Sequence, residues 1–503
     1  MTRLSRRELL RRAAALGVAA PALPFALNLA AIGRASAATA TDYKALVCLF
    51  LYGGNDAYNT VLATDAASWS AYTAARSAGT DPIALAAPGT PADSRAATFH
   101  GTLGGVLPIT PAHAQGRSFA MHPLLGSARD LFAAGRLAVV ANVGPMLRPT
   151  SKADFANPGF PKPAKLFSHN DQQSTWQTFS PEGAGLGWGG RLGDLSIAGN
   201  GRPMFSGISV NGNAPWLVGQ QTRRYQLSTA GSIHLGSSTG TLFGSALVQQ
   251  KLVALTRSSR NANLLEKDHA AVVARSVDAD SVLAPALPAA GAGPWGTAGL
   301  AAGAPDPLLP YRNPDTGLTE VNPLAQQLQA IARTIAARNA LGMSRQLFFA
   351  SIDGFDTHDC QPRRHAVCLA QLAHALAYFD RTLQAMGVAP NVTTFTASDF
   401  GRAFASNGAG SDHGWGGHHL VMGGAVRGGD IYGSFPVYGQ ADGSGGFGSP
   451  QQLAAGALLP AISVDQYAAT LGRWFGAADA DLLGLLPNLG TFDSGVRNLG
   501  FMS

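Results

Sequence analysis

The feature that most constrains the fold is a short apolar run that stops at a pair of glycines. Residues 45–51 (ALVCLFL) are all apolar, and residues 52–56 (YGGND) follow directly. A run this short and this uniformly apolar is typical of a strand buried on both faces, as in a parallel sheet. We therefore predict a buried strand whose end opens onto a glycine-rich, polar turn.

The same kind of strand recurs along the chain and alternates with helical patterns. Strand patterns lie at 137–141, 346–352 and 392–396, and helical patterns lie at 124–134, 323–340, 364–386 and 466–475. Strands that alternate with helices predict an α/β fold around a mainly parallel sheet. We expect residues 38–503 to form a single domain, with loop-rich insertions at about 205–310.

The first 37 residues have the pattern of a twin-arginine signal peptide. Residues 5–10 (SRRELL) contain an arginine pair, a mildly apolar stretch follows, and residues 35–37 (ASA) suit signal peptidase. The alternative is a membrane anchor, which Pro21 and Pro24 disfavour. We expect export of the folded protein by the twin-arginine translocase, to the periplasm or beyond the cell, with no stable membrane span.

Charge and cysteine content argue against a nucleic-acid-binding protein and against a disulfide-rich scaffold. Residues 1–37 supply +5 of the formal net charge of +6, so the remainder is nearly neutral and offers no basic patch for nucleic acid. Three cysteines are too few for a disulfide framework. Cys48 lies in an apolar run, whereas Cys360 and Cys368 could pair in an oxidising compartment.

Acids and histidines collect where the predicted strands end. Residues 353–359 (DGFDTHD) and 398–402 (SDFGR) each follow a strand, and residues 411–419 (SDHGWGGHH) come shortly after. Ligands of open α/β sheets bind at the carboxyl ends of strands, and carboxylate oxygens with imidazole nitrogens suit zinc or manganese. The candidate metal ligands are Asp56, Asp356, His358, Asp399, Asp412, His413 and His418.

Each candidate also has a structural alternative. Asp56 and Asp399 could cap helices, and His358 could be a loop residue. The adjacent His418 and His419 would point apart in an extended segment, so only one should face the site. Residues 167–173 (FSHNDQQ) could line a substrate pocket through His169, or simply hold the helix that follows.

Six segments together resemble the family called domain of unknown function 1501. These segments are residues 50–60, 168–173, 354–358, 398–402, 412–419 and 463–467, and they span nearly the whole chain after the signal. That family is placed in the alkaline-phosphatase-like superfamily. The resemblance implies a three-layer α/β/α sandwich, usually with two metals held by Asp and His at the strand ends. For this chain we expect one or two divalent ions, zinc, manganese or calcium.

The resemblance also assigns roles to particular residues. It implies that Asp56 is the first-strand metal ligand, that Asp356 and His358 form an Asp/His ligand pair, and that His413 is the distal histidine. Asp399 matches the acid after the late strand, although Phe400 follows where many superfamily members have histidine. The superfamily nucleophile has no clear counterpart.

These observations leave the function open between different classes. The first hypothesis is a metal-dependent hydrolase of anionic phosphate or sulfate esters, in which Thr60 or a water attacks and Arg402 or His169 holds the anion. The second is a non-catalytic exported protein that binds a glycan or an envelope partner and keeps the hydrolase fold. A redox enzyme that uses the metal is a third hypothesis, which no haem or blue-copper motif supports.

Overall fold

The structure is a computed structural model that describes residues 43–183, 185–232, 240–258, 263–290, 293–295 and 306–503. The predicted signal peptide at 1–37 lies outside these described residues. In the part of the chain that is described, no helix combines the length and apolar character needed to cross a lipid bilayer.

The strands are numbered in chain order. They are β1 (Lys44–Leu51), β2 (Val61–Ala63), β3 (Leu107–Ile109), β4 (Phe119–Met121), β5 (Leu137–Gly144), β6 (Gly207–Ser209), β7 (Arg224–Gln226), β8 (Pro310–Arg312), β9 (Thr319–Val321), β10 (Arg345–Ile352), β11 (Val392–Ser398), β12 (Arg402–Ser406), β13 (Ser411–His413), β14 (Gly417–Gly423), β15 (Ile431–Tyr432) and β16 (Ile462–Ser463).

The α-helices are numbered in the same way. They are α1 (Ala57–Thr60), α2 (Ala66–Arg76), α3 (Phe99–Leu103), α4 (Gly126–Ala133), α5 (Lys152–Ala156), α6 (His169–Thr178), α7 (Trp188–Ser196), α8 (Ala246–Thr256), α9 (Leu264–Ala286), α10 (Pro323–Ala336), α11 (Gln361–Ala385), α12 (Val464–Phe475) and α13 (Asp479–Leu485).

A large mixed sheet runs through the molecule. Its strands lie in the order β15-β5-β14-β11-β1-β10-β6-β7, and β16 also pairs with β5. Strand β14 is antiparallel to both β5 and β11, whereas the other pairings in this sheet are parallel. Strand β1 lies between β10 and β11, so the carboxyl ends of these three strands meet at one edge of the sheet.

Strand β1 is buried on both faces, as its composition predicts. Val47 and Leu49 pack into a core that includes side chains of α4, α10 and α11. Leu46 and Phe50 point to the other face, where they pack with side chains of α7 and α12. Helices therefore cover this sheet on both faces, and the fold is α/β.

The predicted elements correspond closely to the observed ones. The strands predicted at 45–51, 346–352 and 392–396 are β1, β10 and β11, and the helix predicted at 364–386 is α11. Within about 205–310, the described residues form the helices α8 and α9, and β6 and β7 extend the large sheet. Cys360 and Cys368 are free thiols, so the pairing considered above is not formed.

Candidate metal centre

The glycine pair after β1 allows three loops to meet at the edge of the sheet. Gly53 and Gly54 have φ angles of +112° and +85°, which favour glycine. A Cβ on Gly53 would lie 2.2 Å from the backbone nitrogen of Asp356, and one on Gly54 would lie 2.4 Å from the ring of Phe400. The turn predicted from the sequence thus brings the segments after β1, β10 and β11 into direct contact.

Four side chains that could bind a metal meet beside this turn. Ligand atoms of His169, Asp356 and His413 all lie within 4.8 Å of one another. His358 joins them, since its Nε2 lies 3.2 Å from Asp356 Oδ1 and 2.9 Å from His413 Nε2. Asp356 and His358 come from the loop after β10, His169 begins α6, and His413 ends β13. The group therefore unites three separate parts of the chain.

Each histidine in this group is fixed through its Nδ1 atom. Nδ1 of His413 lies 2.7 Å from the carbonyl oxygen of Phe167. Nδ1 of His169 lies 2.7 Å from Asp399 Oδ2, and Nδ1 of His358 lies 3.3 Å from Asp412 Oδ1. A carbonyl or carboxylate oxygen can only accept, so these partners assign the proton of each ring to Nδ1.

This arrangement leaves the three Nε2 lone pairs facing one carboxylate. The Nε2 atom of His169 is 3.5 Å from Asp356 Oδ2, and that of His413 is 3.6 Å from Asp356 Oδ1. Among the described residues, none forms a hydrogen bond with Nε2 of His169. Lone pairs that face one another repel unless a cation or a proton lies between them, so the group fits a positive ligand.

The separations also suit one metal ion. Ligands about 2.0–2.2 Å from zinc lie roughly 3.3 Å apart at the corners of a tetrahedron. The contacts among Asp356 Oδ1, His358 Nε2 and His413 Nε2 are 2.9, 3.2 and 3.6 Å, which bracket that value. Binding the Nδ1 proton to a carboxylate or a backbone carbonyl is the usual way in which proteins orient metal-binding imidazoles.

Arg402 holds the carboxylate at the centre of the group. Its Nη1 lies 3.0 Å from Asp356 Oδ1 and 3.0 Å from the carbonyl oxygen of Gly53. Its other nitrogens donate to Ser411, and its side chain is fully buried. Partial burial alone would raise the pKa of Asp356, but the hydrogen bond and charge of Arg402 lower it below the ordinary value. Arg402 is therefore buried and directed at Asp356, Ser411 and backbone oxygens, away from solvent.

The histidines differ in their affinity for protons. The hydrogen bond to Asp399 raises the pKa of His169 above its ordinary value. Burial lowers the pKa of His413, and the neighbouring His169, Arg402 and His358 add to that effect. A lowered pKa keeps His413 neutral, which is the form that binds metals.

Asp399 contacts the Nδ1 side of His169 and is not itself one of the four donors. Its Oδ2 accepts hydrogen bonds from His169 Nδ1 at 2.7 Å, Gln173 Nε2 at 2.8 Å and the backbone N–H of Gly53 at 3.2 Å. Asp412 contacts His358 in the corresponding way. Of the predicted ligands, Asp399 and Asp412 thus contact the histidines and not the centre of the donor group. Their role is to orient the imidazole rings of His169 and His358.

Asp56 and Thr60 lie in the interior and outside this group. Asp56 is fully buried, caps α1 by accepting from the backbone N–H of Tyr58, and forms an ion pair with Arg76. The hydroxyl of Thr60 donates to the backbone oxygen of Asp56 at 2.7 Å and is buried. The capping alternative considered for Asp56 therefore describes its contacts, and the hydroxyl of Thr60 does not face the group.

His418 is also placed away from the group, within β14. Its Nδ1 accepts from the backbone N–H of Asn142 at 3.0 Å, and its ring packs against Phe435. His419, on the opposite face of the strand, packs against Trp176. Trp415 is buried and donates to the carbonyl oxygen of Pro145, so it packs the core. The adjacent histidines do point apart, but neither joins the donor group.

Sequence reasoning missed two partners of the histidines. The carbonyl oxygen of Phe167 orients His413, and no side-chain pattern reveals a backbone acceptor. Gln173 binds Asp399 from the first turns of α6. The spacing of His169 and Gln173, four residues apart, would place both on one face of a helix and was the available signal.

Comparison with known proteins identifies the family. A family model described as "Protein of unknown function (DUF1501)" matches residues 43–483. No curated protein matches the chain. Among solved structures, Ps i-CgsB in complex with k-i-k-neocarrahexaose is 9% identical with a TM-score of 0.28, and Ps i-CgsB alone is 10% identical with a TM-score of 0.26.

Each of those two comparisons covers 92% of this chain and 75% of the other. Likenesses at such TM-scores carry no weight for fold or function. The family model, in contrast, spans most of the chain, including all four residues of the donor group. On that match, the chain belongs to the DUF1501 family.

Proposed function

We propose that this protein is an exported, metal-dependent hydrolase of phosphate or sulfate esters. The observation that carries the proposal is the convergence of three Nδ1-anchored imidazoles on Asp356. The finer assignments, a three-layer alkaline-phosphatase-like sandwich and a twin-arginine signal peptide at 1–37, form part of the same proposal. The family match and the α/β sheet with helices on both faces support it.

The residues that would hold the metal are His169, Asp356, His358 and His413. Three imidazoles and one carboxylate suit zinc, and manganese also accepts this donor set. When bound, a divalent cation here would polarise an ester oxygen and offset negative charge on the substrate. The family resemblance would allow a second ion, but the contacts described above favour one.

The remaining residues would prepare the site for that role. Arg402 keeps Asp356 ionised and fixed. Asp399 holds the proton of His169 at Nδ1, so that Nε2 stays available. The carboxylates of Asp356, Asp399 and Asp412 would repel an anionic ester unless a cation compensates them. We therefore expect hydrolysis to depend on the metal.

One observation favours a second candidate, a metal-binding protein without catalytic activity. The hydroxyl of Thr60 is buried and bonded to backbone, and the guanidinium of Arg402 is buried and bound to Asp356, Ser411 and backbone. Neither residue is free to attack or hold a substrate. A hydrolase would then have to rely on water as the nucleophile.

The test measures metal content first and hydrolysis second. The mature protein, purified without chelator, is compared with a His413→Ala variant and with a His374→Ala control by elemental mass spectrometry. We expect about one equivalent of zinc or manganese in the first and third samples and almost none in the second.

The same three samples are then assayed with nitrophenyl phosphate and nitrophenyl sulfate. Hydrolysis that is lost with the metal supports the hydrolase. A full metal complement with no turnover of either ester class favours the metal-binding protein. A well-folded protein that neither contains nor takes up metal would contradict both candidates.

A further inference from the structure

A ligand-sized cavity lies beside β7, at the opposite end of the sheet from β15. It has a volume of about 640 Å³ and lies between the edge strand β7 and the helix α9. Cavities of this size are typical of small-molecule sites. The helix contributes Val272, Arg275, Ser276 and Ala279, which recur at helical spacing and so share one face. This cavity shares no lining residue with the donor group.

Three arginines line the cavity: Arg223, Arg224 and Arg275. Among the described residues, none accepts a side-chain hydrogen bond or forms an ion pair with any of them. Burial lowers the pKa of Arg224, yet a guanidinium remains charged near neutral pH. Three cationic residues therefore line the cavity, and no described protein group compensates them by direct contact.

Several arginines elsewhere in the described residues are paired with acids. Arg76 and Arg402 are fully buried and bound to Asp56 and Asp356. In the same helical region, Arg257 forms an ion pair with Asp278 of α9. The three arginines of the cavity differ from these paired arginines, since no described residue forms an ion pair with them. Asp280 lies near enough to contribute to the raised pKa of Tyr225, after the effect of burial, but it does not line the cavity.

The remaining walls are largely apolar. They include Met204 and Val218, together with Val272 and Ala279 of the helix. A guanidinium binds sulfate, sulfonate, phosphate or carboxylate groups through paired N–H donors. We propose that this cavity binds an anion that carries two or three such groups on a partly apolar framework. This site is separate from the proposed metal centre and does not depend on it.

The probe for this proposal is naphthalene trisulfonate, a flat apolar ring with three anionic groups. Its binding is measured by isothermal titration calorimetry at low ionic strength. We compare the wild-type protein with an Arg223→Gln/Arg275→Gln variant and an Arg129→Gln/Arg381→Gln control. The control removes the same total charge from exposed arginines on other helices.

We expect the first variant to bind about tenfold or more weakly than wild type, and the control to bind normally. Inorganic sulfate has the charge without the apolar framework, so it should also bind about tenfold or more weakly. Circular dichroism checks that each variant is folded. A His413→Ala variant should bind the probe as wild type does, because the metal centre plays no part.

Several results would overturn the proposal. These are absence of binding to the wild-type protein, unchanged binding by the Arg223→Gln/Arg275→Gln variant, and an equal loss in the control. Loss of binding in the His413→Ala variant would assign the probe to the metal centre instead. If sulfate bound as tightly as the trisulfonate, the apolar walls would contribute nothing to binding, and the proposed partly apolar ligand would be wrong.

Discussion

Two groups of three histidines lie among the described residues. They differ in burial, in the hydrogen-bond partners of their ring nitrogens and in whether a carboxylate lies among them. The site histidines (His169, His358 and His413) meet at the edge of the sheet around a carboxylate. The core histidines (His100, His122 and His365) are buried, and the ring of His122 lies 6.2 Å and 5.8 Å from those of the other two.

The hydrogen bonds of the two groups explain the difference. All three site histidines hold their proton on Nδ1 and turn Nε2 inward. Among the core histidines, Nδ1 of His122 accepts from the backbone N–H of Leu124, whereas Nε2 of His365 binds the Oδ1 atom of Asn55. Their protonation patterns are mixed, and among the described residues no carboxylate forms a donor group with them. A cluster of histidines therefore suits a metal only when the hydrogen-bond partners of all the rings hold the proton on the same nitrogen and leave the other nitrogen facing the centre.

The largest expected effect is on metal affinity, and it tests directly whether the two groups of histidines differ in function. Replacing His358 with Ala removes one Nε2 donor from the site, and we expect metal affinity to fall by about 100-fold or more. Replacing His365 with Gln keeps a donor toward Asn55 and should leave metal affinity unchanged. Competition with a chromogenic chelator measures both. Equal losses in the two variants would mean that the two groups are not distinct in function.

The second effect concerns pH and the core histidines. Burial lowers the pKa of His100 and His365 to about 4, whereas an unfolded histidine titrates near about 6.5. Between these values the unfolded state binds more protons, so stability is fully present above about pH 6.5 and falls as the pH drops toward 4.

For one such histidine, the loss in free energy of unfolding between pH 7 and pH 5 is about 2 kcal/mol. A His100→Gln variant should therefore lose less free energy of unfolding than wild type between pH 7 and pH 5. Urea unfolding of chelator-treated protein at the two pH values measures this difference. His122→Gln gives a second reading, since burial holds the pKa of His122 well below its ordinary value as well. A pH dependence that is the same in both variants and in wild type would contradict buried, neutral core histidines.

The sequence predicts those features that neighbouring residues determine, and it fails for those that depend on residues far away in the chain. Strand β1 could be read from its own apolar run, because burial on both faces selects every residue in it. Asp356 and His358 could be predicted because they follow a strand directly. Asp56 follows β1 in the same way, but its carboxylate is taken by Arg76, which reaches it from α2 only in the folded chain.

His169 shows the complementary difficulty. It comes from the first turn of α6 and from no strand end, so sequence position gave it only a substrate-binding role. Its place among the donors depends on Asp399, which lies 230 residues further along the chain. Which acid binds a metal and which one orients a histidine is set by such long-range pairs, and these are invisible to local pattern.

The third effect sharpens the role of these outer partners. Asn in place of Asp399 removes the negative charge and one acceptor, so His169 is no longer held in a single protonation state. We expect metal affinity to fall by about tenfold or somewhat more, with the metal stoichiometry unchanged. Chelator competition measures the affinity, and elemental analysis at saturating metal gives the stoichiometry. Complete loss of metal would instead make Asp399 a direct ligand.

The smallest effect follows from Asp412, the corresponding partner of His358. Its contact is 3.3 Å against 2.7 Å for Asp399, and its side chain is 62% exposed whereas that of Asp399 is fully buried. Water screens an exposed pair and can replace its hydrogen bond. An Asp412→Asn variant should therefore lose about threefold or less in metal affinity, and this loss should shrink further in high salt. If Asp412→Asn weakens binding as much as Asp399→Asn, burial is not what sets the strength of these outer contacts.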